Sequence, residues 1–99
     1  MDNRFLIKDA EIPAYMRVAL HAYLDYGRPV GDFLNAILTN NLFHAVGHAD
    51  STNIKIIQNY VVAIHTHAPA GCHGSKQKVD AWIALGGLRG LEKENANRE

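Results

Sequence analysis

A chain of 99 residues has room for one compact domain and excludes a multidomain enzyme. An apolar fraction of 47% excludes a disordered chain. Ten Lys and Arg balance ten Asp and Glu, which excludes the basic excess of a general nucleic-acid binder, so any anion site must be local.

Residues 1–11 form an N-terminal arm with one short apolar run, Phe5-Leu6-Ile7. Pro13 suits a helix start. Met16, Leu20, Tyr23 and Leu24 then follow at helical spacing, and Gly27 with Pro29 stops the helix, predicted at 13–26. A second helix opens after Gly31, with Asp32 as its cap. It carries Leu34, Ile37, Leu38, Leu42 and Ala45 on one face as far as Gly47 or Ala49. Asp50-Ser51-Thr52-Asn53 is a turn or capping cluster. The third helix follows and ends before Pro69. Ile54, Ile57, Val61 and Ile64 share its face, with Ile56 and Tyr60 beside it.

A loop, Ala68 to Gly74, leads to Ser75, the cap of a short last helix carrying Val79, Trp82 and Ile83. Gly86-Gly87 ends that helix, and residues 89–99 read as a charged flexible tail. The expected fold is all-α: a short N-terminal helix, a long antiparallel hairpin and a short C-terminal helix, with residues 12–88 as the domain. Tyr23, Phe33 and Trp82 are core candidates. The third helix is apolar beyond what its neighbours can cover, which predicts self-association. A domain this small also buries only about 60–65% of its unfolded surface, so its core is thin.

Cys72 is the single cysteine, so no internal disulfide forms and a reducing compartment is expected. No run approaches the roughly 18 apolar residues of a membrane span. The start lacks the apolar centre of a secretion signal. A cytosolic protein without membrane contact is expected.

Two glycine-bounded helix starts stand out as anion sites. Arg28, Pro29, Val30 and Gly31 precede the second helix, where free N–H groups and the helix dipole suit a phosphate and Arg28 offers a bidentate contact. The competing reading is an interhelix turn with a solvated arginine. Gly74, Ser75, Lys76 and Lys78 form the second start, which reads equally as a Ser75 cap with two solvated lysines. Tyr15 lies off the apolar stripe of the first helix, either to stack on a base or to pack at a surface. Asn40, Asn41, Asp50 and Asn53 read base edges or cap helices. His44 and His48 are spaced to hold a metal on one helix face, and His65, His67, Cys72 and His73 lie near one another. With no His-Glu-x-x-His, no Cys-x-x-Cys and no clear third ligand, no metal or other cofactor and no catalytic residue is assigned.

Taken in order, these segments resemble a known family. Ile12-Pro13 and Tyr23-Leu24-Asp25-Tyr26-Gly27-Arg28-Pro29-Val30-Gly31-Asp32-Phe33-Leu34 are similar to its opening. Ala36-Ile37-Leu38-Thr39-Asn40-Asn41-Leu42, His48-Ala49-Asp50 with Asn53, and Ala68-Pro69, Cys72-His73-Gly74-Ser75, Lys78-Val79 and Trp82-Ile83 are similar to its later motifs. The family is that of the phage anti-CBASS cyclic-oligonucleotide sponges, related to the helical hairpin of the Thoeris anti-defence sponges. The resemblance spans about residues 12–85. It departs at Asn41, where the family has Asp, and at His73, where it has Trp; either change could retune a pocket.

The resemblance implies a hexamer in the host bacterial cytoplasm. Such a protein binds cyclic dinucleotides or trinucleotides without cleaving them and so blocks activation of an immune effector. The residues themselves supply the candidate ligand-binding set: Tyr15, Arg28, Pro29, Val30, Gly31 and Asn40, with Gly74, Ser75, Lys76 and Lys78. Alternatives are a sponge for cyclic ADP-ribose isomers, a metal-dependent nucleotide hydrolase built on the histidines, a DNA-binding helical protein, which the neutral charge disfavours, and a structural phage protein.

Overall fold

The computed structural model describes residues 12–97; the expected N-terminal arm, 1–11, lies outside the described residues. The described residues form helices joined by turns and contain no strand. The α-helices are α1 (Ala14–Tyr26), α2 (Asp32–Leu38), α3 (Leu42–His48), α4 (Ile57–His67), α5 (Lys76–Leu85) and α6 (Gly87–Asn97), with short 3-10 turns at Asn53–Ile56 and Ala70–Cys72. Among the described residues no helix is long and apolar enough to cross a membrane.

Helix α1 starts and stops as the sequence predicts. The Pro13 carbonyl accepts from the Met16 and Arg17 amides, each at 3.0 Å. At the other end Gly27 takes a left-handed φ of 69° and donates its amide to the Tyr23 carbonyl at 2.9 Å. A Cβ at Gly27 would sit 2.7 Å from the Gly87 nitrogen, and one at Gly87 would sit 2.5 Å from the Gly27 nitrogen. The two backbones touch because neither residue has a side chain.

The predicted second helix is two helices. Asn40 stands at φ 63°, a conformation asparagine tolerates better than most residues. The Asn40 amide donates to the Ile37 carbonyl at 3.1 Å and the Asn41 amide to the Ala36 carbonyl at 2.8 Å. This bond pattern closes the end of α2. Asn41 then caps α3, its Oδ1 accepting from the His44 amide at 3.2 Å. The helix cap of α2 is Gly31 and not Asp32, which occupies its first turn.

The third predicted helix is also turned from its expected face. Tyr60, Ala63 and Ile64 point inward, while Ile54 and Val61 are exposed. The buried hydroxyl of Tyr60 selects this rotation: it donates to Asn53 Oδ1 at 2.7 Å, and the ring packs edge-on against Phe33 at 5.1 Å. The last correction is at Gly86-Gly87. The pair does not end the chain's helical part; it turns the chain into α6, which packs along α1 and α5. The helical tail begins where a charged flexible segment was expected.

Tyr23, Phe33 and Trp82 are core residues as expected, with Ile12, Leu20, Leu24, Leu34, Leu38, Val79 and Cys72 around them. Tyr23 connects three parts of the chain. Its hydroxyl donates to the Cys72 carbonyl at 2.6 Å, and its own carbonyl accepts from Trp82 Nε1 at 3.0 Å. Both polar ends of the core are thereby satisfied.

Candidate ligand-binding site

A cleft of about 360 Å³ opens between α1, the start of α2 and the turn after α3. Its lining includes Tyr15, Gly31, Asp32, His48, Asp50 and Asn53, above a floor of Met16, Phe33 and Leu34. Tyr15 is 60% exposed, with its hydroxyl 3.5 Å from Asp50 Oδ2. A Cβ at Gly31 would meet nothing within 4 Å, so the backbone there is open to a ligand. Asp50 is already engaged through Oδ1, which accepts from the Thr52 and Asn53 amides at 3.1 and 2.7 Å. Asn53 is buried and held by Tyr60.

Arg28, Pro29 and Val30 do not line this cleft. Arg28 is exposed, its guanidinium 5.9 Å from the centre of the Tyr26 ring, an ordinary cation–π distance. The first turn of α2 carries the Asp32 carboxylate. A helix of seven residues with an anion already at its positive end is a poor phosphate site. The structure thus separates Tyr15 and Gly31, which share a cleft, from the arginine meant to work with them.

Asn40 and Gly74 share another cleft of about 280 Å³ with Val61, Ile64, His65 and His73. The Gly74 amide is not available to an anion, because it donates to the Leu38 carbonyl at 2.7 Å. Ser75 is the cap of α5: its Oγ accepts from the Lys78 amide at 3.2 Å. Lys78 lies alongside Gly74, its Nζ 3.9 Å from where a Gly74 side chain would begin. Burial pushes half-buried His73 below the usual imidazole range, and Lys78 and His65 push the same way, which favours the neutral form. Lys76 is exposed and pairs with Asp80 at 2.6 Å one turn on.

A polar cleft that sequence reading did not find joins Lys76 and Asp80 of α5 to Asp32, Asn35 and Thr39 at α2 and to Asn41, His44 and His48 at α3, with a volume of about 370 Å³. Its residues come from separate helices, and no local spacing reveals that convergence. His44 and His48 do stand together, ring centres 6.0 Å apart. Among the described residues no group of three or more His, Cys, Asp or Glu is placed to hold a metal ion. The Cys72 thiol is buried, and burial pushes it up to about 11. It is a packing group, not an activated nucleophile.

Asn41 and Asp50 act as caps, Asn53 as a buried partner of Tyr60, and Asn40 as the left-handed residue that ends α2. Of the ten predicted binding residues, Tyr15 with Gly31 and Asn40 with Gly74 are brought together in clefts, with Lys78 beside Gly74. No protein-family model, no curated protein and no solved structure matches this chain.

Proposed function

We propose that this chain is a self-associating, non-enzymatic binding protein that sequesters cyclic dinucleotide or trinucleotide signals in the cytoplasm of a phage-infected bacterium. The observation that carries the reading is Tyr15: an aromatic residue, 60% exposed, at a cleft whose lining also includes the open backbone of Gly31. A base stacked on such a ring gains roughly 1–3 kcal/mol, and the Asp32 and Asp50 side chains beside it supply acceptors for base N–H groups.

Self-association is supported by apolar side chains left in water on α3 and α4. Phe43 is 90% exposed, and Leu42, Val46, Val61 and Val62 are exposed with it. Leu42 and Val61 share one shallow groove with Ile57 and Ala45. An exposed apolar surface of this kind marks an interaction site. A second copy is the natural occupant, since a nearly two-fold cyclic dinucleotide suits a site repeated by two-fold symmetry, and a trinucleotide suits a three-fold axis; a hexamer of dihedral symmetry contains both.

Thermal-shift screening against cyclic dinucleotides, cyclic trinucleotides and cyclic ADP-ribose isomers tests the reading, followed by heating the complex to recover the ligand. The expected result is stabilisation by a cyclic oligonucleotide that comes back intact. A ligand recovered as a linear or hydrolysed product, or a panel in which no cyclic oligonucleotide raises Tm, overturns it.

A further inference from the structure

The cleft beside Tyr15 holds two carboxylates in unequal states. Asp50 is committed to two backbone amides through Oδ1 and faces the Tyr15 hydroxyl through Oδ2. Asp32 is different: among the described residues no hydrogen bond or ion pair engages its exposed carboxylate. It stands next in the chain to Gly31, where no side chain narrows the approach, and it lines both the cleft of Tyr15 and the neighbouring cleft of Lys76 and His44. A carboxylate with both oxygens open is a fork that accepts two parallel donors. Among the nucleobases only guanine presents such a pair on one edge, its N1–H beside the exocyclic N2–H. Adenine and cytosine set an acceptor beside their amino group, and hypoxanthine keeps N1–H but lacks the amine.

We propose that Asp32 makes this cleft selective for guanine, the ring stacked on Tyr15 and the N1–H and N2–H of the base donated together to the Asp32 carboxylate. The inference rests on the base-binding reading of the same cleft. It moves the α2 start from a phosphate site to a base-reading site, as its negative charge requires.

Calorimetric titration of the full chain with cyclic di-GMP, cyclic di-IMP and cyclic di-AMP tests it. Cyclic di-GMP is expected to bind about tenfold tighter or better than the other two, the discrimination typical of one good bidentate base contact. Asp32→Asn, which replaces one acceptor oxygen by a donor, is expected to weaken cyclic di-GMP more than either other ligand, so that its advantage of about tenfold disappears. Equal affinity for all three ligands, or a guanine preference that survives in Asp32→Asn, overturns the inference. Tyr15→Ala separates it from the reading it rests on. Loss of stacking is expected to weaken all three ligands alike, whereas unchanged affinity in Tyr15→Ala overturns both the stacked arrangement proposed here and the base-binding reading of the cleft. Failure of all three to bind overturns the inference and leaves the sequestration reading only its trinucleotide ligands. L-arginine amide, whose guanidinium offers the same two donors, is the control ligand; binding of it that depends on Asp32, without guanine preference, assigns the carboxylate to a peptide and overturns the proposal.

Discussion

Tyr23 and Cys72 are joined by a 2.6 Å hydrogen bond from the buried phenol to the loop carbonyl, and this bond fastens the 70–75 loop to α1. The loop is held also by the Gly74 amide on Leu38, the Cys72 amide on Pro69, the buried Cys72 side chain and the Ser75 cap. Tyr23→Phe keeps the ring in the core and removes only the donor. The expected cost is about 1–3 kcal/mol, because a buried carbonyl is left without its partner. Urea denaturation reads the loss, and amide exchange in residues 71–75 should quicken more than exchange in α4. A variant as stable as the parent would show that water replaces the phenol.

Alkaline pH should weaken the fold. Burial raises the Cys72 thiol from 9.0 to about 11, so the folded state holds its proton more tightly than the unfolded chain does. The stability this supplies is complete below pH 9.0 and is lost as pH rises towards about 11. Tyr23 and Tyr60, also raised by burial, add to the decline above pH 10.0. Denaturation midpoints from pH 7 to 11 should fall on the alkaline side, and Cys72→Ala should flatten the first part of that fall. A thiol reagent should modify folded Cys72 slowly at pH 8 and rapidly in urea.

The helix break at Asn40 gives a prediction of opposite signs for two substitutions. Asn40→Gly suits φ 63° and should leave stability within about 0.5 kcal/mol of the parent or raise it. Asn40→Val places a β-branched residue in the left-handed region and should cost about 1–3 kcal/mol. Melting temperature distinguishes them. Equal effects of the two would mean that α2 and α3 join into one helix in solution.

Phe43→Asp and Val61→Asp change exposed positions, so each should leave monomer stability within about 0.5 kcal/mol. If copies meet across α3 and α4, both variants should sediment as smaller species than the parent at equal concentration. Parent and variants sedimenting alike would place any association elsewhere.

Much of the helical content was legible from spacing: α1 with its proline start and glycine stop, the cap at Ser75, and the core roles of Tyr23, Phe33 and Trp82. What escaped was backbone chemistry that residue type leaves ambiguous. Thr39-Asn40-Asn41 could continue an apolar stripe or end one helix and cap the next; the apolar period runs through it, and only the left-handed Asn40 and the cap at Asn41 decide for the break. Gly86-Gly87 reads as a stop because glycine ends helices, yet its contact partner lies across the fold in α1. Tyr15 and Gly31 were visible as candidates one at a time, but their shared cleft depends on how α1 crosses the start of α2. Asp32 read as a cap, and its position one residue inside the helix leaves the carboxylate for other partners. The cleft at Lys76, Asp80 and the α2–α3 histidines draws on residues from separate helices and leaves no linear trace.

The touching backbones of Gly27 and Gly87 set an order on biosynthesis. The end of α1 emerges from the ribosome early, and its seat is provided only by the glycine that opens the last helix. Contacts between distant parts of a chain form late, because a long loop must close first. A nascent chain halted before residue 87 therefore holds α1 with its terminus unseated, because the glycine that seats it has not yet been added.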